Sequence, residues 1–215
     1  TRTISSAASD VYKRQIGNSL RDLGFSSEIV PTSYAVKAPV FPFNKFLKVD
    51  PILGPEMKST GEVMGRGSTF GEAFGKAIKA AGDEIPTRGN IFVSVKDSDK
   101  KYLPELCQKF IELGFNIKAT KGSCKFLADK GIRVEKVNKV LEGRPHIVDE
   151  ILNNEICMVI NTTEGRQSIK DSFSIRRSAL EHSTFLTTTI SGGFAIAESL
   201  EKPSNEWNYI PLQTS

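Results

Sequence analysis

From residue 90 onward the chain alternates between two hydrophobic rhythms. Ile91-Phe92-Val93-Ser94-Val95 is a short β-branched run that predicts a buried strand. Residues 100–113 then place Leu103, Leu106, Cys107, Phe110 and Ile111 on one helical face, closed by Gly114, with Pro104 suited only to the first turn. The alternation repeats with a strand at Phe115–Ala119, a short helix at Ser123–Lys130 ended by Gly131, and a weak strand at Val134–Val137. Pro145 opens a helix carrying Ile147, Val148, Ile151 and Leu152. Ile156–Ile160 predicts the next strand, followed by a helix over about 168–180, a strand at Phe185–Thr187 and a helix over about 193–200. This pattern predicts an α/β fold, an open parallel five-stranded sheet with helices on both faces.

The first third of the chain is less regular. Residues 1–15 are Ser/Ala-rich and then abruptly charged, which predicts disorder. Asn18–Leu23 reads as a short helix stopped by Gly24. In residues 34–46, Val36, Ala38, Val40 and Phe43 alternate with polar positions, while Pro39 and Pro42 remove donors, so the stretch predicts an edge strand or extended loop. Asp50-Pro51 and Gly54-Pro55 are turn signals, and 59–67 reads as a short polar segment. Thr69–Ala81 predicts a helix with Phe70, Ala73, Phe74, Ala77 and Ile78 on its apolar face. Gly65-Arg66-Gly67 with Gly71 lacks the spacing and the preceding strand of a dinucleotide fingerprint, and reads as turn glycine ahead of that helix. Gly82 closes the helix and 83–89 is the linker candidate; 201–215, with Trp207, Tyr209, Ile210 and Leu212, reads as a packed tail.

Composition narrows the classes. At 215 residues and 39% hydrophobic content the chain can bury a core, and a net charge of +4 spread without basic–aromatic interleaving argues against nucleic acid. No apolar run reaches the 18 or so residues of a membrane span. Cys107, Cys124 and Cys157 form no C-x-x-C pair and read as buried thiols of a reducing compartment. The first residue is Thr, not Met, and an internal piece of a longer chain is one reading.

Ligands of open parallel sheets bind beyond the carboxyl ends of the strands. The residues that follow the strands are Lys100, then Thr120 with Gly122 and Ser123, then Lys139, then Asn161 and Thr163. Ammonium groups, hydroxyls and helix N-termini suit a phosphate dianion, and the competing reading is ordinary loop polarity. No catalytic set emerges. His146 and His182 have no metal-ligand or triad spacing, Glu142 is an unsupported carboxylate, and Arg176-Arg177 reads as a solvated helix face.

Six stretches carry a family resemblance: V-F-P-F-N-K-F (40–46), V-D-P-I-L-G-P-E-M-K-S-T-G-E-V-M-G (49–65), V-N-K-V-L-E-G-R-P-H-I-V-D (137–149), I-N-T-T-E-G-R (160–166), I-R-R-S-A-L (175–180) and G-G-F-A (192–195). Together they resemble the carboxyl-terminal part of the large chain of carbamoyl-phosphate synthase, from about Gly17 to Ser199. The resemblance implies that 16–82 is the C-terminal remnant of the second ATP-grasp unit and 90–200 a regulatory domain similar in fold to methylglyoxal synthase. It implies a nucleotide effector of the UMP or IMP type, with its phosphate at Lys100, Thr120, Ser123, Lys139, Asn161 and Thr163. Ser123 stands where relatives carry Thr, and the hydroxyl is kept. Relatives place a Tyr two residues before a Thr at the ornithine site; here those positions are Leu186 and Thr188, which leaves ornithine binding open. The parent enzyme would use ATP with Mg or Mn to make carbamoyl phosphate from glutamine-derived ammonia and bicarbonate, for pyrimidine and arginine synthesis in the cytoplasm. Its partners would be the rest of the large chain and a glutaminase small chain, with oligomerisation open. The piece itself would hold no cofactor and no metal and would be non-catalytic. Thr1-Arg2-Thr3 looks like the end of a family loop, whereas residues 4–15 look foreign to the family, as an assembly error would leave them.

The rival readings are a free-standing lyase like methylglyoxal synthase and an independent effector-sensing module. The lyase needs an aspartate base after the third strand, where this chain has E-G-R-P-H-I and no Asp before Asp149.

Overall fold

Alternating apolar residues put the two faces of one sheet to work. The structure, a computed structural model, describes residues 12–24, 27, 30–40, 43, 50–52, 61–209 and 211. It divides into two units, Thr1–Thr32 and Ser33–Ser215. In the first, residues 12–15 form a single helical turn. The helix expected over 18–23 is absent. Ser19 N–H donates to Asp22 Oδ2 (2.7 Å) and Asp22 N–H to Ser19 Oγ (3.1 Å), a reciprocal capping exchange that opens a single turn too short to propagate as a helix.

The second unit begins with an antiparallel ribbon of β1 (Tyr34–Val40) and β2 (Gly61–Gly67), followed by α1 (Phe70–Ala80), capped by the Thr69 side chain. β2 corrects the reading of 59–67 as a short polar segment and of Gly65 and Gly67 as turn residues. A Cβ on Gly65 would lie 2.0 Å from the Ala73 carbonyl oxygen, so the strand is glycine-rich because α1 lies directly on it. The buried face of α1 also differs from the apolar stripe. Gly71, Glu72, Ala73, Gly75 and Ala77 are buried, while Phe70, Phe74 and Ile78 are half-buried. A Cβ on Gly75 would meet the Trp207 ring at 2.5 Å, so the helix face is cut back to admit the tail.

The five-stranded sheet is parallel throughout: β3 (Asn90–Ser94), β4 (Asn116–Ala119), β5 (Glu135–Lys136), β6 (Met158–Asn161) and β7 (Phe185–Thr187), in the order β5-β4-β3-β6-β7. Between and after the strands run α2 (Leu103–Glu112), α3 (Lys121–Ala128), α4 (Ile147–Leu152), α5 (Arg166–Asp171), α6 (Phe173–Glu181) and α7 (Ile190–Leu200). Ile91, Val93, Ile117, Ala119, Met158 and Ile160 face a core shared with α2, α3 and α7. Phe92 and Val159, one residue out of phase, face a second core with Ile147 and Ile151 of α4 and Ile175 and Ala179 of α6. Helices therefore cover both faces, as the pattern predicts.

The single helix expected over 168–180 is two helices that meet at Ser172. The Arg176 guanidinium donates to the Ile169 carbonyl (2.8 Å), which an unbroken helix would offer to the Phe173 N–H. Residues 83–89 lie inside the Ser33–Ser215 unit, in which α1 packs along α7. The tail is held at Trp207, whose indole N–H donates to the Lys202 carbonyl (3.2 Å), and at Asn208, whose N–H donates to Glu72 Oε1 (3.1 Å); Ile210 and Leu212 lie outside the described residues. Among the described residues no helix is long and apolar enough to cross a membrane.

Candidate anion-binding site

In-register pairing brings the strand ends together. Ser94 lies opposite Asn161, Val93 opposite Ala119, Ala119 opposite Lys136, and Ile160 opposite Thr187. Thr120, Lys139, Asn161, Thr163 and Thr188 each lie at or within three residues of those positions, so the parallel sheet places them along one carboxyl edge.

The centre of that edge is the start of α3. Thr120 is its N-cap residue, and the N–H groups of Lys121, Gly122 and Ser123 precede the first intrahelical bond, Cys124 N–H to the Thr120 carbonyl (2.8 Å). Thr120 and Ser123 are 5% and 2% exposed. Neither hydroxyl bonds to a described residue, and no buried side-chain nitrogen or oxygen among the described residues lacks a partner, so the exposed atoms of these residues include their hydroxyl oxygens. Lys100 hangs over the same helix start: its Nζ lies 3.8 Å from where a Gly122 Cβ would be, and glycine leaves that space open. Lys100 Nζ pairs at 2.7 Å with Asp97, whose side chain is almost fully exposed, and the hydrogen bond from Lys100 lowers the Asp97 pKa. A bound dianion would compete with Asp97 for the ammonium. Lys139 is exposed at the end of β5, where its N–H donates to Glu142 Oε2 (2.9 Å). Glu142 is thereby a turn residue.

Two more of the residues picked out by their position after strands stand on the same edge in different settings. Asn161 is 1% exposed, beneath the edge; its Oδ1 accepts from Arg176 Nη1 (3.0 Å) and its Nδ2 donates weakly to the Ser94 carbonyl (3.4 Å). Thr163 lines a cleft of about 530 Å³ on this edge with Lys96, Asp99, Tyr102, Thr162 and Thr188. Leu186 packs under α6 in the second core, whereas Thr188 opens into that cleft. The sequence reading missed Lys96 and Thr162, although both stand just beyond a strand end: Lys96 N–H donates to Thr162 Oγ1 (3.0 Å).

Arg176-Arg177 is not a solvated face. Arg176 is 0% exposed and Arg177 9%. The Arg176 fork engages Asp50 through Nε to Oδ1 (2.8 Å) and Nη2 to Oδ2 (2.5 Å), and Arg177 Nε donates to Glu181 (2.7 Å). Charge compensation allows that burial, and no local spacing signals the partner 126 residues away. His146 caps α4 in a reciprocal pair with Asp149, which accounts for that histidine without a metal. Among the described residues no three His, Cys, Asp or Glu side chains are grouped to hold a metal ion.

A larger cleft, about 820 Å³, opens at the opposite, amino edge among Lys79, Asp83, Phe115, Cys157, His182 and Trp207. Burial raises the pKa of Asp83 and of the Cys157 thiol there, and that of Cys107 in the core to about 12. None of the residues read as anion ligands lines it.

The model of the MGS-like domain family matches residues 102–188. Over 185 residues, 86% of this chain and 17% of the relative, the chain is 57% identical to the carbamoyl phosphate synthase large chain of Pseudomonas syringae pv. tomato. It is 56% identical over the same span to the protein of that name from Pseudomonas putida, and 50% identical over 186 residues to that from Pasteurella multocida. The chain thus spans about a sixth of the length of the relatives it matches (17%).

Proposed function

We propose that this chain, which belongs to the carbamoyl phosphate synthase large-chain family through 86% of its residues, is the part of such a large chain that senses a phosphorylated effector. The observation that carries the reading is the start of α3. Two buried residues present unpartnered hydroxyls there, beside free backbone N–H groups and the Lys100 ammonium. Hydroxyls and N–H groups donate to phosphate oxygens, the helix dipole favours negative charge, and the ammonium supplies the opposite charge. Lys139 at the neighbouring strand end adds a second cation.

On this reading a nucleoside monophosphate of the UMP or IMP type sets the rate of ATP-dependent carbamoyl phosphate synthesis in the complete enzyme. The ATP, the divalent metal and the glutaminase small chain belong to parts of that enzyme outside this chain. The chain alone makes no carbamoyl phosphate. On this reading the site binds and positions an anion.

Calorimetric titration with UMP, IMP and inorganic phosphate tests the reading. Lys139→Ala is expected to weaken phosphate-dependent binding by roughly 1.5–3 kcal/mol through loss of a charge-assisted contact. Titrations unchanged in that variant would remove Lys139 from the site, and no binding by the unsubstituted chain would end the reading.

A further inference from the structure

Arg176 is the largest fully buried side chain among the described residues, and it does not touch the start of α3. Its guanidinium joins two parts of the chain. Two of its nitrogens hold the Asp50 carboxylate; one of those also donates to Ile169, and a third donates to Asn161 at the end of β6. Arg is a donor only, so the Asn161 atom facing it must be the carbonyl oxygen. That fixes the amide. Nδ2 is turned toward the Ser94 carbonyl, which also accepts from the Thr162 N–H (3.0 Å). The Thr162 hydroxyl in turn accepts from the Lys96 N–H, and Lys96, Thr162 and Thr163 form a wall of the 530 Å³ cleft. An uninterrupted polar chain therefore runs from Asp50, through Arg176, Asn161 and Ser94, to the carboxyl edge of the sheet.

We infer that Arg176 is a positioning residue through which Asp50 and the effector edge are energetically linked, an inference that rests on the effector reading above. Asp50 neutralises the guanidinium and fixes its fork. The fork fixes Asn161, and Asn161 ties together the ends of β3 and β6, after which Lys96, Lys100, Thr162 and Thr163 follow. By linkage, if the Asp50–Arg176 pair favours the ligand-binding geometry, ligand favours the docked state of Asp50 by the same factor.

The experiment uses the full chain with UMP, IMP and inorganic phosphate as probes. Asp50→Asn is expected to weaken binding about five-fold or more, the lower end of ordinary coupling between sites. In the Asn161→Ala background the same substitution should change affinity less than about two-fold, while still lowering the unfolding midpoint. An equal loss of affinity in both backgrounds would mean general loosening and would overturn the inference. So would wild-type affinity in Asp50→Asn. Hydrogen exchange on the unsubstituted chain guards against variants that fail to fold. The Ile52 N–H, which donates to Asp50 Oδ1 (3.3 Å), should exchange more slowly when ligand is bound, and unchanged exchange at saturation would also overturn it. If Lys139→Ala weakens binding but Asp50→Asn does not, the effector reading stands and this inference alone falls. If the unsubstituted chain binds none of the probes, both fall.

Discussion

Two largely buried ion pairs are built differently, one within α1 and one between Asp50 and α6 of the parallel-sheet region. Glu72 on α1 is 3% exposed. It is held by Lys76 (2.8 Å), the Ser68 hydroxyl (2.9 Å) and the N–H of Asn208 in the tail (3.1 Å). Lys76 spends its remaining donors on the Arg66 and Asn208 carbonyls. The cluster closes on backbone, so it is structural. The Asp50–Arg176 pair leads instead through Asn161 to a strand end beside a cleft. Both pairs are desolvated and satisfied, and burial alone does not tell them apart. The difference lies in where the last hydrogen bond goes. A polar network that ends in the fold's own backbone serves cohesion, and one that ends at a ligand-facing edge can also report occupancy.

The sharpest way to break this comparison is to remove one partner from each pair. Arg176→Met and Glu72→Leu should each cost about 3–5 kcal/mol in urea unfolding, because each leaves a buried charge without its partner. Only Arg176→Met should also weaken UMP or IMP binding in the folded fraction; equal losses of affinity in both variants would erase the distinction.

Acid probes the Glu72 cluster next. Burial alone would raise the pKa of Glu72, but hydrogen bonds from Lys76, Ser68 and Asn208 outweigh it and hold the carboxyl at about 2. Its folded pKa is depressed, so its contribution is complete above the unfolded value of about 4.5 and lost as pH falls toward about 2. The contribution is on the order of 3 kcal/mol. The stability gap between the unsubstituted chain and Glu72→Gln, measured from pH 6 down to pH 2, should therefore shrink toward zero across that window. A gap independent of pH would show that Glu72 acts by packing alone.

The smallest effect is at the edge itself. Ser123→Ala removes a hydroxyl that no described residue uses, so the unfolding free energy should move by no more than about 0.5 kcal/mol. Loss of a hydrogen bond to a charged phosphate should still cost roughly 1.5–3 kcal/mol of binding. A Ser123→Ala chain that lost stability but bound UMP and IMP normally would place that hydroxyl in the structure and not in the site.

Much of this was legible in the chain. The strands at 90–94, 116–119, 158–161 and 185–187 stand out because β-branched runs between helical stripes leave few alternatives. Thr120 and Ser123 were legible too, because a polar residue after a buried strand falls at the sheet's carboxyl edge whatever the side-chain details. The strand end of Asn161 was legible, but its burial was not: its partner Arg176 is on a helix, and spacing carries no information about that meeting. β2 was illegible for a related reason. Gly61–Gly67 carries no β-propensity signal, because its glycines answer to α1 lying on the strand.

The sequence by itself determined the alternation of strand and helix, the two-faced parallel sheet and the row of hydroxyls and ammonium groups along one edge. These follow from local periodicity, and a parallel sheet turns sequence position after a strand into position in space. Only the tertiary structure decided which of those groups stay open, that Arg176 is buried against Asp50, and that the glycines of β2 and α1 are close-packing surfaces. Each of those depends on partners distant in the chain, where burial, charge compensation and steric fit are properties of a pair and cannot be read from either residue alone.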